Sequence, residues 1–132
     1  MVKFVDQQLT QLRNEVYRMW AMVYSQMDQA RQAVLSMDRN IAQQIWVRER
    51  LVDAQDIKID TQVEDFIALY TPVAVDLRFV LAMLKINSDL ERIGDYAYSI
   101  ARFVKETGTE KLDRSLVERL RLERMFDIVL EM

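Results

Sequence analysis

The residues most able to do chemistry are acidic and fall at helical spacing. Glu49, Asp53, Asp56 and Asp60 are separated by steps of four, three and four, so a helix presents them as one stripe. Farther along, Glu91 and Asp95 stand one turn apart. Like charges at that spacing oppose a helix by about 0.2–0.5 kcal/mol per pair, with no structural return visible. Carboxylates so grouped can bridge cations, perform acid–base work, or sit on a solvated face where Arg48, Arg50 and Arg92 neutralise them.

Composition narrows the choice. The 132-residue chain has no cysteine and no histidine. Disulfides, thiolate zinc sites and thiol nucleophiles are therefore excluded, as are histidine-dependent triads and the usual di-iron and zinc motifs. Any metal must be held by oxygen, which suits Mg²⁺, Mn²⁺, Ca²⁺ or iron. Two glycines and one proline supply too few turns for a β-sandwich or barrel, and no phosphate-cradling glycine loop is present. With 18 basic against 21 acidic residues, the net charge of −3 gives no drive toward nucleic acid. The longest apolar run, Phe79 to Leu84, falls far short of the roughly 20 residues that span a membrane. No secretory signal opens the chain, so a cytoplasmic location is expected.

Sparse punctuation defines the elements that position the acids. Asn40 with Gln43 has capping-box spacing, Thr71-Pro72 suits an N-cap and first helical residue, and Gly108 suits a C-terminal cap. Ser115 and Glu118 form another capping box. Helices are predicted over 4–37, 41–70, 73–106 and 115–132, the long ones spanning about 45 Å each. Phe79, Met83, Ile86, Leu90, Ile93, Ala97, Ile100 and Val104 alternate steps of four and three, a coiled-coil-like seam. Val5, Leu9, Leu12, Val16, Trp20, Val23, Met27, Ala30 and Val34 do the same in the first segment. In the second, Ile45, Val52, Ile59, Val63, Phe66 and Tyr70 hold one frame, within which Glu49 and Asp56 fall at seam positions. The expectation is an all-α, antiparallel up-down-up three-helix bundle resembling a spectrin repeat, with a truncated fourth helix.

Hairpin geometry then pairs the acids. If the second turn is centred near residue 71 or 72, a position x on the second helix lies level with about 143 − x on the third. Glu91 and Asp95 come beside Glu49 and Asp53, while Asp60 lies nearer Met83. Against the third-helix seam, Glu91 and Asp95 face away from the core. Four carboxylates at one height repel unless a cation intervenes. Trp20 and Trp46 are expected as core or edge packing, the eight methionines as gap-fillers, and Gly94 as a point of close helix approach.

The stretch from Thr71 to Val80, containing Pro72-Val73-Ala74-Val75-Asp76-Leu77-Arg78, closely resembles the PhoU family. So does Leu90-Glu91-Arg92-Ile93-Gly94-Asp95-Tyr96-Ala97 on the same helix. Upstream, Glu49 and Asp53 followed by Asp56, Lys58, Ile59 and Asp60 fit the same pattern more loosely. The resemblance implies two tandem three-helix repeats, each with Glu/Asp-x-x-x-Asp motifs that bind metal on the bundle surface. Here the motifs fall on Glu49, Asp53, Glu91 and Asp95, the quartet that hairpin geometry selects. The metals implied are iron or zinc, or magnesium or manganese. Residues 1–107 would be the first repeat, and 108–132 a linker and the start of a fourth helix in an incomplete second one.

The role implied is regulatory. PhoU-like proteins link the Pst phosphate transporter to its sensor histidine kinase and repress the phosphate-starvation response when phosphate is plentiful. The expected partners are therefore that kinase and the transporter ATPase. Self-association is also expected, because the apolar positions of 115–132 need a surface to cover. Two other readings compete: a carboxylate-bridged metalloenzyme and a purely structural helical dimerisation module. A catalytic role is not expected, since the acids face outward on an open bundle and histidine is absent.

Overall fold

The computed structural model describes residues 2–107 and 114–132, with five helices and no strand among them. Helices α1 (Val2–Ser36), α2 (Arg39–Tyr70) and α3 (Ala74–Thr107) run up, down and up, each packed against the other two. Helices α4 (Arg114–Leu120) and α5 (Leu122–Glu131) follow. The three-helix bundle is the one expected, with long-helix boundaries displaced by no more than two residues.

The turns are built differently from their sequence expectation. Met37 occupies the left-handed region at φ 50° and the Asp38 N–H returns to the Ala33 carbonyl at 3.0 Å, a Schellman closure of α1. Glycine is usual there, but the Met37 side chain is buried among Ala33, Val34 and Ala42, and glycine could not fill that space. Asp38, not Asn40, then caps α2: its carboxylate accepts from the N–H of Asn40 at 2.8 Å and of Ile41 at 3.3 Å. Thr71 is also corrected. It closes α2 in a left-handed conformation, its N–H reaching the Ile67 carbonyl, and α3 begins only at Ala74, beyond Pro72. Gly108 lies outside the described residues. Ser115, expected as an N-cap, lies inside α4 as described from Arg114.

The α3 seam is shifted from its expected course. Val80, Asn87, Gly94 and Ala101 recur every seven residues and are fully buried, as are Leu90, Ala97 and Val104. Phe79, Met83, Ile86, Ile93 and Ile100 flank this line half-buried. Small residues make that possible: a Cβ on Gly94 would stand 3.4 Å from Val52 Cγ1 and 3.6 Å from Val23 Cγ2, so both neighbouring helices close on this point. On α1, Met19 takes the core position expected of Trp20, which is 43% exposed.

The final segment is two helices rather than one, broken at Arg121, whose φ is 53°. It folds back along α1. Phe126 enters the cluster of Ala30, Ala33 and Ala101, Leu130 packs beside it, and Asp127 pairs with Arg31 at 2.6 Å. Part of the apolar face expected to seek another chain is thus covered internally, while Leu116, Leu120, Met125 and Ile128 remain exposed.

Candidate metal centre

Two rungs fix the register of α2 against α3. Trp46 stacks on Tyr98 with ring centroids 4.7 Å apart, and Asn87 Nδ2 donates to Asp56 Oδ1 at 2.7 Å. Between them, Glu49 and Asp53 on α2 face Asp95 and Glu91 on α3, as the hairpin relation expects.

Their placement in the packing is less outward than the sequence suggests. Glu49 occupies a seam-edge position between buried Ile45 and Val52, and one of its oxygens, Oε2, is buried with no hydrogen-bond partner. Glu91 follows buried Leu90 and is half-buried, because the seam runs through Asn87, Leu90 and Gly94. Asp53 and Asp95 are exposed. The expectation that Glu91 faces away from the core is therefore corrected, while that for Asp95 stands.

Electrostatics registers the crowding. Burial, then the neighbouring charges of Asp53 and Asp95, push Glu49 up to about 7. Glu91 is also pushed up to about 7, first by burial and then by its hydrogen bond with Asp95 and the charges of Asp95, Asp56 and Asp53. Asp56 is raised by burial and by Asp60, while the Asn87 amide pulls it down. Among the described residues no ion pair reaches these six carboxylates; Arg48, Arg50 and Arg92 do not neutralise them.

Asp56 and Asp60 thus join the quartet through Asn87, a residue the sequence reading passed over. Asn87 is wholly buried, and its Nδ2 reaches Asp56 Oδ1 at 2.7 Å and Asp60 Oδ1 at 3.3 Å. Its signal was available: a lone amide in the heptad position shared by Val80, Gly94 and Ala101. As they stand, no three of the described carboxylates converge into a ready cage for an ion. The donor set is all oxygen, and the unpartnered Glu49 Oε2 together with the two raised glutamates fits a hard cation.

The α1–α3 bundle that carries this patch coincides with a family match: the PhoU domain model matches residues 16–104. The chain belongs to the PhoU family. It is 34% identical over 110 residues to a phosphate-specific transport system accessory protein PhoU homolog of Clostridium acetobutylicum, covering 83% of this chain and 50% of that relative. It is 27% identical over 116 residues to PhoU homolog 1 of Thermotoga maritima, covering 88% and 50% respectively. A Xylella fastidiosa homolog is 38% identical over 101 residues, 76% of this chain and 42% of the relative. The chain spans about half the length of the curated relatives it matches. No solved structure matches it. The family match contains all six acids and stops short of α4 and α5, and no described helix is long and apolar enough to cross a membrane.

Proposed function

We propose that this chain is a metal-binding regulatory module of phosphate uptake. PhoU-family membership and relatives named as accessory proteins of a phosphate-specific transport system support the regulatory part. The metal part rests on one observation: Glu49 keeps an oxygen buried without a donor beside three further carboxylates, at a seam position an apolar residue would fill more favourably. In this reading Glu49, Asp53, Glu91 and Asp95 hold the cation, which neutralises their repulsion and locks α2 to α3. Magnesium, manganese and iron suit the oxygen donors best, and zinc is the further candidate.

With the ion in place the module is a rigid, cytoplasmic adaptor that touches the transporter ATPase and a sensor histidine kinase and helps to repress the starvation response. Calorimetric titration of the chelator-treated protein with Mn²⁺ tests the metal part. The wild type should give saturable heat, and the Glu91→Ala/Asp95→Ala double variant should weaken binding by at least tenfold. Equal binding by both proteins would refute the assignment. Co-purification of the full-length relative with the ATPase or kinase, lost in the same double variant, would support the adaptor role. Retention of both partners by that variant would separate docking from the acidic face.

A further inference from the structure

Core packing on α1 leaves a second stripe on the outer side of that helix. With Met19 in the core, Trp20 turns outward and joins Tyr17 and Tyr24, which are 60% and 48% exposed. Ala21 lies exposed between the tyrosines, and Arg13 and Asp28 extend the stripe by one turn at either end. Three half-exposed rings within about two turns form a patch of the kind that marks an interaction site. Among the described residues neither Arg13 nor Asp28 enters an ion pair; Asp28 accepts a hydrogen bond from Gln32 Nε2 at 3.3 Å, one turn on.

The stripe is complementary to itself when reversed. About a two-fold axis between residues 20 and 21, position x on one copy faces about 41 − x on the other. Tyr17 then meets the partner's Tyr24, and Arg13 meets the partner's Asp28. The Trp20 ring lies over the partner's Ala21, whose small side chain leaves room for it. We propose that two copies of this chain dimerise by antiparallel contact of their α1 outer faces, centred on Trp20 and Ala21. A parallel pairing sets Arg13 against the partner's Arg13 and Asp28 against the partner's Asp28. It also sets ring on ring at Trp20, so charge and size both select the antiparallel arrangement.

The size of the strip sets its strength. A fully buried aromatic side chain covers about 150–250 Å², so three half-exposed rings offer about 300 Å² per copy. Arg13, Ala21 and Asp28 extend the contact along roughly 24 Å of helix. That places the interface near the lower end of specific ones, roughly 1,200 Å² in total, and the dimer in the micromolar range. Because α1 packs on α2 and α3 through its inner face, the dimer leaves the α2–α3 acidic patch open on both copies. The surface is also separate from exposed Leu116 and Leu120 on α4, and it owes nothing to the metal-binding reading.

Charge reversal tests the pairing. In sedimentation velocity over a concentration series, the wild-type chain should pass from monomer to dimer at micromolar concentrations. Arg13→Glu and Asp28→Arg should each weaken the dimer about tenfold or more, because the two-fold repeats every broken pair. Mixing these two variants in equal amounts should restore the dimer, since each then meets the opposite charge at both ends. Both positions lie off the core, so both variants should melt as the wild type does by circular dichroism. Tyr24→Ser, which changes no charge, should weaken the dimer and should not be rescued by either reversal. A wild type that stays monomeric, a dimer indifferent to both reversals, or two weakened variants that fail to recover on mixing would each overturn the proposal.

Discussion

Replacing Glu49 with glutamine should stabilise the metal-free protein at alkaline pH and weaken its response to metal. Glu49 ordinarily titrates near 4.5 and is pushed up to about 7 here, so the folded state holds its proton more tightly than the unfolded state. Below pH 4.5 the group is neutral in both states and contributes no difference. As pH rises from 4.5 through 7, the unfolded chain ionises freely while the folded one resists, and stability falls. The whole interval corresponds to about 3.4 kcal/mol at 1.36 kcal/mol per unit, and screening of a half-buried group reduces it to about 1–2 kcal/mol. Glutamine keeps the shape, removes the charge and offers an N–H to Asp53. Urea unfolding with chelator present should therefore show Glu49→Gln more stable than wild type by about 1.5 kcal/mol at pH 8, and by less than about 0.5 kcal/mol at pH 5. With Mn²⁺ at a hundredfold excess over its dissociation constant, the wild type should gain about 2.7 kcal/mol and overtake the variant. A variant less stable than wild type at pH 8 without metal, or a difference independent of pH, would refute the reasoning.

Other substitutions follow from the same packing. Asp38→Ala should lose about 1 kcal/mol by removing the α2 cap, whereas Asn40→Ala should change stability by only a few tenths, measured by chemical denaturation. Gly94→Ala should be tolerated, because the new Cβ meets Val52 at an ordinary 3.4 Å and gains helix propensity of about 1 kcal/mol; Gly94→Leu should cost about 3 kcal/mol or more by overpacking. Phe126→Ala should release α5, seen as loss of hydrogen-exchange protection over residues 122–131 with the three-helix bundle still protected.

The helices and their register were legible because periodicity and punctuation agreed. The relation that set Glu91 and Asp95 beside Glu49 and Asp53 also pairs residue 87 with 56, and that is where Asn87 meets Asp56. The α3 seam was partly misplaced: Leu90, Ala97 and Val104 are buried as expected, but hydropathy favours Phe79, Ile86 and Ile93, whereas close packing favours Gly94 and Ala101, whose lack of bulk is what admits the neighbouring helices. That displacement turned Glu91 toward the interface and hid Asn87 from a reading based on apolar spacing. The left-handed residues Met37, Thr71 and Arg121 were likewise invisible, since none is glycine and local sequence does not require φ above zero at any of them. Thr71-Pro72 fits a helix start by residue type, yet the chain uses threonine to end α2 and proline to separate it from α3.

Metal binding as proposed requires a cation that bridges α2 and α3 through side-chain oxygens. Crystals grown with Mn²⁺ and measured at the manganese absorption edge address it most directly. An anomalous peak within coordination distance of Glu49 and Glu91 is the predicted result. Full manganese occupancy elsewhere, with these carboxylates still spread apart, would contradict it.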